Sequence, residues 1–524
     1  MKIVVRDIRV TLKNSEGDVF AIASERLKDA GIKADRKTLR IFRKSVDTRH
    51  KTIYLVYSVL AETDVEISAG AAAKAGFALL EETDPFKSLK RGSERPGGRP
   101  VIVGFGPCGM FAALCLAENG YRPLVIERGE PVAMRSVKVA RFMRTGELDP
   151  GSNVQFGAGG AGTFSDGKLV TRINDKKVSY VLETFVRYGA PGTILTEARP
   201  HIGTDRLLTV VSRMDARIKE LGGEILYGTR LTGIKIRDGK AVAVETEAGD
   251  IDCGPVILAT GNSARDTYGY LIAGGFAVRP KPFSVGVRIE HLQSELDRAV
   301  FGSQAGNPLL GHAEYAMSYR RGDDCVYTFC MCPGGEVIAS ASEEGGVVTN
   351  GMSRFARDGK NANSALVVNV SPEDPVEYQR SIERSAFVLG GGGYAAPFQT
   401  VDDFMSDRTG SQPSRVLPTY RGGNVKSASL SSLFDRRVSG MLKTGIRYFD
   451  GKIKGFAAPY ALLTAPETRT SAPFRIERGP ELTASGTENI YPAGEGAGYA
   501  GGITSAAVDG INTAIKIMEK YSSD

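Results

Sequence analysis

One stretch constrains the fold more than any other: residues 100–129 read PVIVGFGPCGMFAALCLAENGYRPLVIERG. The apolar run Val101-Ile102-Val103 leads into Gly104-Phe105-Gly106-Pro107-Cys108-Gly109. A segment with helical apolar spacing follows, and a second apolar run ends on Glu127-Arg128. This order predicts a β-α-β unit with the glycines at the strand-to-helix turn. Gly104 permits the tight turn, Gly106 lets a pyrophosphate approach the backbone, and Gly109 lets helix and strand pack closely. The pyrophosphate would sit at the positive end of the helix that begins near Pro107 and Cys108. Glu127 follows Gly104 by 23 residues (127 − 104), the spacing of a carboxylate that accepts hydrogen bonds from a ribose. In a chain with 63 glycines the GxGxxG alone is weak evidence. The flanking strand, helix and acid make it specific.

At 524 residues, two or three domains are expected. No run of ~18 apolar residues occurs, so no membrane span is predicted, and the start MKIVVRDIRV lacks the apolar core of a secretion signal. Six cysteines are too few for a disulfide framework at this length, so a cytoplasmic location is expected. The net charge of +7 is concentrated at one end: residues 1–99 carry 20 Lys/Arg and 14 Asp/Glu, which leaves +1 for the remainder.

That basic segment reads as a small ferredoxin-like α+β domain. IVVRDIRVTL is a strand, AIASERLKDAG a helix ended by Gly31, and LRIFRKSVDTRHKTIYLVYSVLAE two strands around a polar bend. The bend holds Arg43, Lys44, Asp47, Arg49, His50 and Lys51. Packing by salt bridges against the larger domain is the preferred reading, with phosphate binding as the alternative. An alanine-rich helix, AAAKAGFALLEE, and the connector KSLKRGSERPGGRP then mark the clearest boundary in the chain.

Beyond the β-α-β unit, GSNVQFGAGGAGTFSDGKLVTR places five glycines between Gly157 and Gly167, among them Gly159 and Gly160. Backbone there is expected to pass close to a flat or phosphorylated ligand, with Lys168 and Arg172 adding positive charge. A β-meander over residues 224–252 feeds the strand PVILATG, ending in Ala259-Thr260-Gly261 at the edge where open α/β sheets bind ligands. Residues 270–460 alternate strand-like and helical pieces with polar loops such as NGMSRFARDGKNANS. Finally NIYPAGEGAGYAGGITSAAVDG runs from a short strand through Gly494-Glu495 to a helix starting at Gly502-Ile503, closing the same site from far along the chain. Glu495 can accept from a ribitol hydroxyl while the helix N–H groups face a ring's polar edge.

The fingerprint Gly104, Gly106, Gly109 and Glu127, the strand end Ala259-Thr260-Gly261 and the motif Gly494-Glu495 together resemble the FAD-binding domain of the glutathione-reductase-like flavoproteins. That superfamily usually has Asp after the last glycine; Glu495 keeps the carboxylate on a longer arm. More closely, KSVDTRHK, GAGGAGTFSDGKLVTR, ATGNSARDTY, KPFSVGVRIEH, FCMCPGG and GEGAGYAGGI resemble a bacterial family described as uncharacterised FAD-dependent dehydrogenases, over nearly the whole length. The resemblance implies an α/β fold: a Rossmann-type FAD-binding domain with an inserted α+β substrate domain. The expected division is 1–95 for the basic N-terminal domain, 96–270 and 466–524 for the two parts of the FAD domain, and 271–465 for the substrate domain.

FAD would supply the redox chemistry. With one GxGxxG of good context, a nicotinamide would dock transiently if at all. Cys330-Met331-Cys332 is the most tempting redox feature, because sulfurs two residues apart in an extended strand share a face. With Cys325 it makes no four-ligand zinc set, so no metal is expected. His291 and His201 are candidate proton donors, and Arg172, Arg288 and Lys168 candidate holders of an acidic substrate. A helix N-terminus could lower the Cys108 thiol, though a small packing side chain is its simpler role. The expectation is therefore an FAD-dependent oxidoreductase that transfers hydride between flavin and a small organic substrate. The alternative is a flavoprotein that acts on RNA through the basic N-terminal domain, with Phe42, Tyr54 and Tyr57 as the nearby aromatics.

Overall fold

The computed structural model describes residues 1–50, 52–64, 67–80 and 84–523. Five parallel strands lie beneath the glycine turn, in the order Ile490–Pro492, Val256–Leu258, Val101–Val103, Leu124–Ile126, Glu224–Leu226. The three central ones are VIL, VIV and LVI, with every residue buried, as a parallel sheet covered on both faces requires. Helix Pro107–Glu118 opens with proline at its first turn and buries ten of its twelve residues. Met110, Phe111, Leu114 and Leu116 on it are fully or almost fully buried, each contributing roughly 1.5–3 kcal/mol. Helix Ile503–Lys520 crosses it so closely that a Cβ on Gly510 would overlap the Cys108 carbonyl oxygen. The strand order thus brings residues 101–103, 256–258 and 490–492 side by side, with all three glycine turns at one edge.

The meander Leu231–Arg237, Lys240–Thr246 and Gly249–Asp252 forms its own antiparallel sheet. A larger sheet of seven strands follows the order Ser318–Arg321, Asp324–Cys332, Asn361–Val370, Phe283–Leu292, Leu462–Glu467, Ala396–Thr400, Val425–Ser427. All its neighbours are antiparallel except the last pair. The segment NGMSRFARDGKNANS is a loop only over residues 353–360. Thr349–Met352 pairs with Glu336–Ala339, and the long central strand begins at Asn361. Gly351 lets that hairpin pass the buried Arg288 guanidinium, which a Cβ would strike.

In the N-terminal module the chain order strand, helix, strand, strand, helix, strand gives a four-stranded antiparallel sheet, Arg40–Asp47, Tyr54–Glu62, Lys2–Thr11, Phe77–Leu79. The alanine-rich helix is shorter than its composition predicts. It covers Ala69–Lys74, Gly76 turns at φ +76°, and Phe77–Leu79 joins the sheet; Glu81 and Glu82 lie outside the described residues. Among the described residues the basic bend meets the larger body through backbone hydrogen bonds, with the Lys44 charge near Glu197. Lys44 N–H donates to the Thr196 carbonyl (2.7 Å) and Ala198 N–H to the Lys44 carbonyl (2.8 Å). Arg9 and Arg49 are held within the module by Asp47, while Lys51 lies outside the described residues. The connector after the module is tied down as well, Gly92 and Glu94 donating to carbonyls of Met518 and Lys520. Among the described residues no helix is long and apolar enough to cross a membrane.

Candidate cofactor and substrate site

The glycine turn is built by close approach. Gly104 sits at φ +100°, donates its N–H to the Ile126 carbonyl (2.8 Å), and would carry a Cβ 2.5 Å from the Ala259 oxygen. A Cβ on Gly109 would overlap the Gly104 carbonyl, so helix and strand meet only because neither residue has a side chain there. Glu127, 5% exposed, holds the turn together: Oε2 accepts from Phe105 N–H (2.8 Å), and Oε1 accepts from Gly129 and Gly157 N–H (both 2.9 Å). Its expected ribose role is therefore shared with a structural one. Beneath it the fully buried Arg135 donates to the carbonyls of Asn153, Val154, Gly157 and Ala158. Burial lowers the Arg135 guanidinium to about 10, with Glu127 the main charge opposing that fall.

A cavity of about 350 Å³ opens from this turn. Gly104, Gly106, Pro107, Cys108, Glu127 and Arg128 line one end, and Gly160 and Lys168 come from the glycine-rich loop. Ala259, Thr260, Gly261, Glu495, Gly502 and Ile503 close it from the other two turns. Three expected residues stand behind this wall. Gly109 serves the packing of helix on strand, Gly159 makes room for Thr163 and Val211, and Gly494 makes room for Cys108 while its N–H donates to Asp509 (2.7 Å). Cys108 is 4% exposed, and burial pushes its thiol up rather than down, which makes it a packing residue and not a nucleophile. Glu495 accepts from Asn262 Nδ2 (3.0 Å), and burial raises its carboxyl to about 7.

The far wall comes from the glycine-rich loop and the seven-stranded sheet. Lys168 pairs with the buried Asp166, which also accepts from Ser353 and from Arg357 (2.7 Å). Arg288 is completely buried, paired with Glu467 (2.9 Å) and donating to Asn363, Asn350 and the Cys330 carbonyl, so it has no fork left for a substrate. Arg172 is exposed and stands off the cavity, as do His201 and His291. His291 Nε2 is bound to the Phe456 carbonyl (2.8 Å) in an aromatic cluster, which withdraws it as a proton donor. Cys330 does line the cavity, but not as a regular strand residue: a bulge between Phe329 and Cys332 puts it at φ +46°.

Sequence reasoning missed Asn350, Glu467, Arg469 and Thr470, all of which line the cavity. For the last three the signal was the polar cluster ETRT closing an apolar strand, the pattern already noticed at Glu127 and Glu495. Arg469 shares the buried Glu383 with Arg265.

The shape fits FAD on the chain's own terms. Glycine backbone stands where a Cβ would block approach, two helix N-termini open onto one cavity, and carboxylates occupy the ends of two parallel strands. Residues 282–470 match the family model described as FAD-dependent protein, C-terminal domain-like. A protein of Clostridium beijerinckii, described as uncharacterized, is 46% identical over 503 residues, covering 93% of this chain and 94% of its own. Protein FixC of Escherichia coli K12 is 30% identical over 210 residues, covering 38% of this chain and 44% of its own. The solved structure of glycine oxidase from Bacillus cereus covers 81% of this chain and 98% of its own at 10% identity, with a TM-score of 0.33, too distant a likeness to carry an argument. The comparisons lend no support to the RNA-directed alternative. FAD is the cofactor, residues 282–470 carrying the FAD-dependent protein domain, and the chain belongs to the same family as its clostridial relative.

Proposed function

We propose that this protein is an FAD-dependent oxidoreductase, a dehydrogenase that exchanges hydride with a small organic substrate. The observation that carries the reading is one continuous cavity. It joins the glycine turn at Gly104–Cys108 to Lys168 of the glycine-rich loop and to Cys330, Glu467 and Arg469 in and just after strands of the seven-stranded sheet. FAD supplies the two-electron chemistry when bound. Gly104, Gly106 and the first turn of helix Pro107–Glu118 hold its pyrophosphate, Arg128 adds charge, and Glu495 with the N-terminus of helix Ile503–Lys520 serves its other end. In this reading residues 96–270 and 466–524 carry the cofactor, 271–465 the substrate, and 1–95 an accessory domain.

The charges on the far wall constrain the substrate. Lys168 is paired with Asp166, Arg288 with Glu467, and Arg469 with Glu383, Asp166 being shared with Arg357 and Glu383 with Arg265. With each of these cations already engaged by a carboxylate, a neutral or zwitterionic substrate fits better than a polyanion. Phe329 and Val170, both lining residues and both exposed, add an apolar rim.

Anaerobic mixing of the holoprotein with amines, amino acids, hydroxy acids and reduced nicotinamides, followed at the visible flavin band, tests the proposal. Bleaching by at least one neutral or zwitterionic organic donor is expected. A holoprotein bleached by dithionite but by no member of the panel would refute it.

A further inference from the structure

The bulge in strand Asp324–Cys332 has a chemical result. In a regular strand Cys330 and Cys332 would extend in parallel, two residues apart. Here the backbone turns at Cys330 to φ +46°, and the pairing with Asn361–Val370 slips between Phe329 and Cys332. The Cys332 thiol reaches back and donates to the Cys330 carbonyl oxygen (3.3 Å). Cys330 is partly exposed on the cavity wall, whereas Cys332 is fully buried beneath it. Both are free thiols.

We propose that Cys330 and Cys332 form a redox-active dithiol in the cavity, with Cys330 the attacking sulfur and Cys332 the resolving one, taking a small-molecule disulfide as oxidant. This goes beyond the flavin reaction and does not depend on it. The Cys330 thiolate attacks one sulfur of the disulfide RSSR, forms a mixed disulfide and releases RS⁻. That thiolate takes the proton of the Cys332 thiol, and the Cys332 thiolate displaces the second RS⁻, which takes a proton from solvent. Two cysteines are oxidised to one disulfide, and one RSSR is reduced to two RSH.

The surroundings suit these separate parts. The neighbouring Cys332 thiol, then Arg288 and Lys168, favour the Cys330 thiolate, against burial and Glu467. Together they lower Cys330, while the adjacent thiolate and burial push Cys332 up. An accessible low-pKa thiol beside a protonated, buried partner is the division of labour that dithiol exchange requires. The other cysteines lack it: Cys108, Cys115 and Cys253 are buried and raised, and Cys325 has no second cysteine beside it in the strand.

The test uses the full-length holoprotein. It is incubated with glutathione disulfide at neutral pH, quenched in acid, alkylated with N-ethylmaleimide and mapped by mass spectrometry. The expected result is loss of two alkylatable thiols and a peptide 2 mass units lighter, with a Cys330–Cys332 bridge and Cys325 still alkylated. Cys332→Ser should stop at one glutathione on Cys330, and Cys330→Ser should lose the reaction at least 10-fold. Two outcomes would overturn the proposal: both sulfurs of the unmodified sequence remaining alkylatable, or that protein accumulating the mixed disulfide as Cys332→Ser does. The unmodified protein decides the question even if a variant folds poorly. Thiol state is read independently of flavin bleaching, so either proposal can fail alone.

Discussion

Replacing Glu127 with Gln separates the two roles that its carboxylate could have. If it served only a ribose, the apoprotein would not notice the change. The structure says otherwise, because three backbone N–H groups from three segments converge on it: Phe105 in the turn, Gly129 after the second strand, and Gly157 in the glycine-rich loop. An amide offers one oxygen, so one side of the cluster must face an NH₂ group, losing a charge-assisted bond worth roughly 1.5–3 kcal/mol. The buried Arg135 also loses the negative charge that chiefly supports it, and an uncompensated buried charge costs about 3–5 kcal/mol in the worst case. Because Arg135 keeps its four carbonyl acceptors, we take the lower end, a total of about 3 kcal/mol. At 2–4 °C per kcal/mol for a cooperative unit of 150–250 residues, apoprotein melting should fall by roughly 6–12 °C. FAD affinity, from quenching of flavin fluorescence on titration, should weaken on the order of 100-fold as the turn loses its order. A variant apoprotein that melts within a degree of the parent while still losing FAD affinity would show that the carboxylate serves the ligand alone.

Two further outcomes follow from the same site. The Glu495 carboxyl is raised from 4.5 to about 7 by burial, so the folded apoprotein keeps a proton that the unfolded chain releases between those values. Its contribution is complete below about pH 4.5 and lost as pH rises through 7; Glu495→Gln should remove about 2–3 kcal/mol of that fall in stability. Identical pH dependence of melting in parent and variant apoproteins would contradict this. Gly109→Ala forces a methyl onto the Gly104 carbonyl and Ile102. It should cost about 1–3 kcal/mol and lower the flavin-to-protein ratio after purification, whereas Gly261→Ala has open space at its Cβ and only its φ of +77° to resist it. Equal flavin ratios in the parent and Gly109→Ala would count against the close-packing account.

The parts of this fold written as local pattern were legible in the sequence. Strand, GxGxxG, helix and acid sit within 30 residues, and hydrophobic periodicity carries that signal without tertiary help. The later turns at Ala259 and Glu495 were recognisable because each repeats an apolar strand ending on glycine. What escaped depends on partners distant in sequence. Arg288, an apparent substrate cation, is consumed by Glu467, 179 residues away. His291 is consumed by Phe456 through a backbone carbonyl, which no side-chain pattern reveals. The helix expected over residues 71–82 ends at Lys74 for a local reason: alanine composition concealed the turn chemistry of Gly76. Cys330 was found by composition, but its geometry depends on a bulge set by the neighbouring strand.

The crossing of helix Pro107–Glu118 by helix Ile503–Lys520 sets a timetable for synthesis. A ribosome adding 5–20 residues per second needs roughly 20–80 s to pass from Gly104 to Gly494. For that interval the apolar flank of the first helix waits without the partner that covers it, while the whole seven-stranded sheet emerges between them. The nascent chain therefore carries that apolar flank uncovered throughout the interval, and the cavity lined by all three turns is complete only once residues 494–503 have left the ribosome.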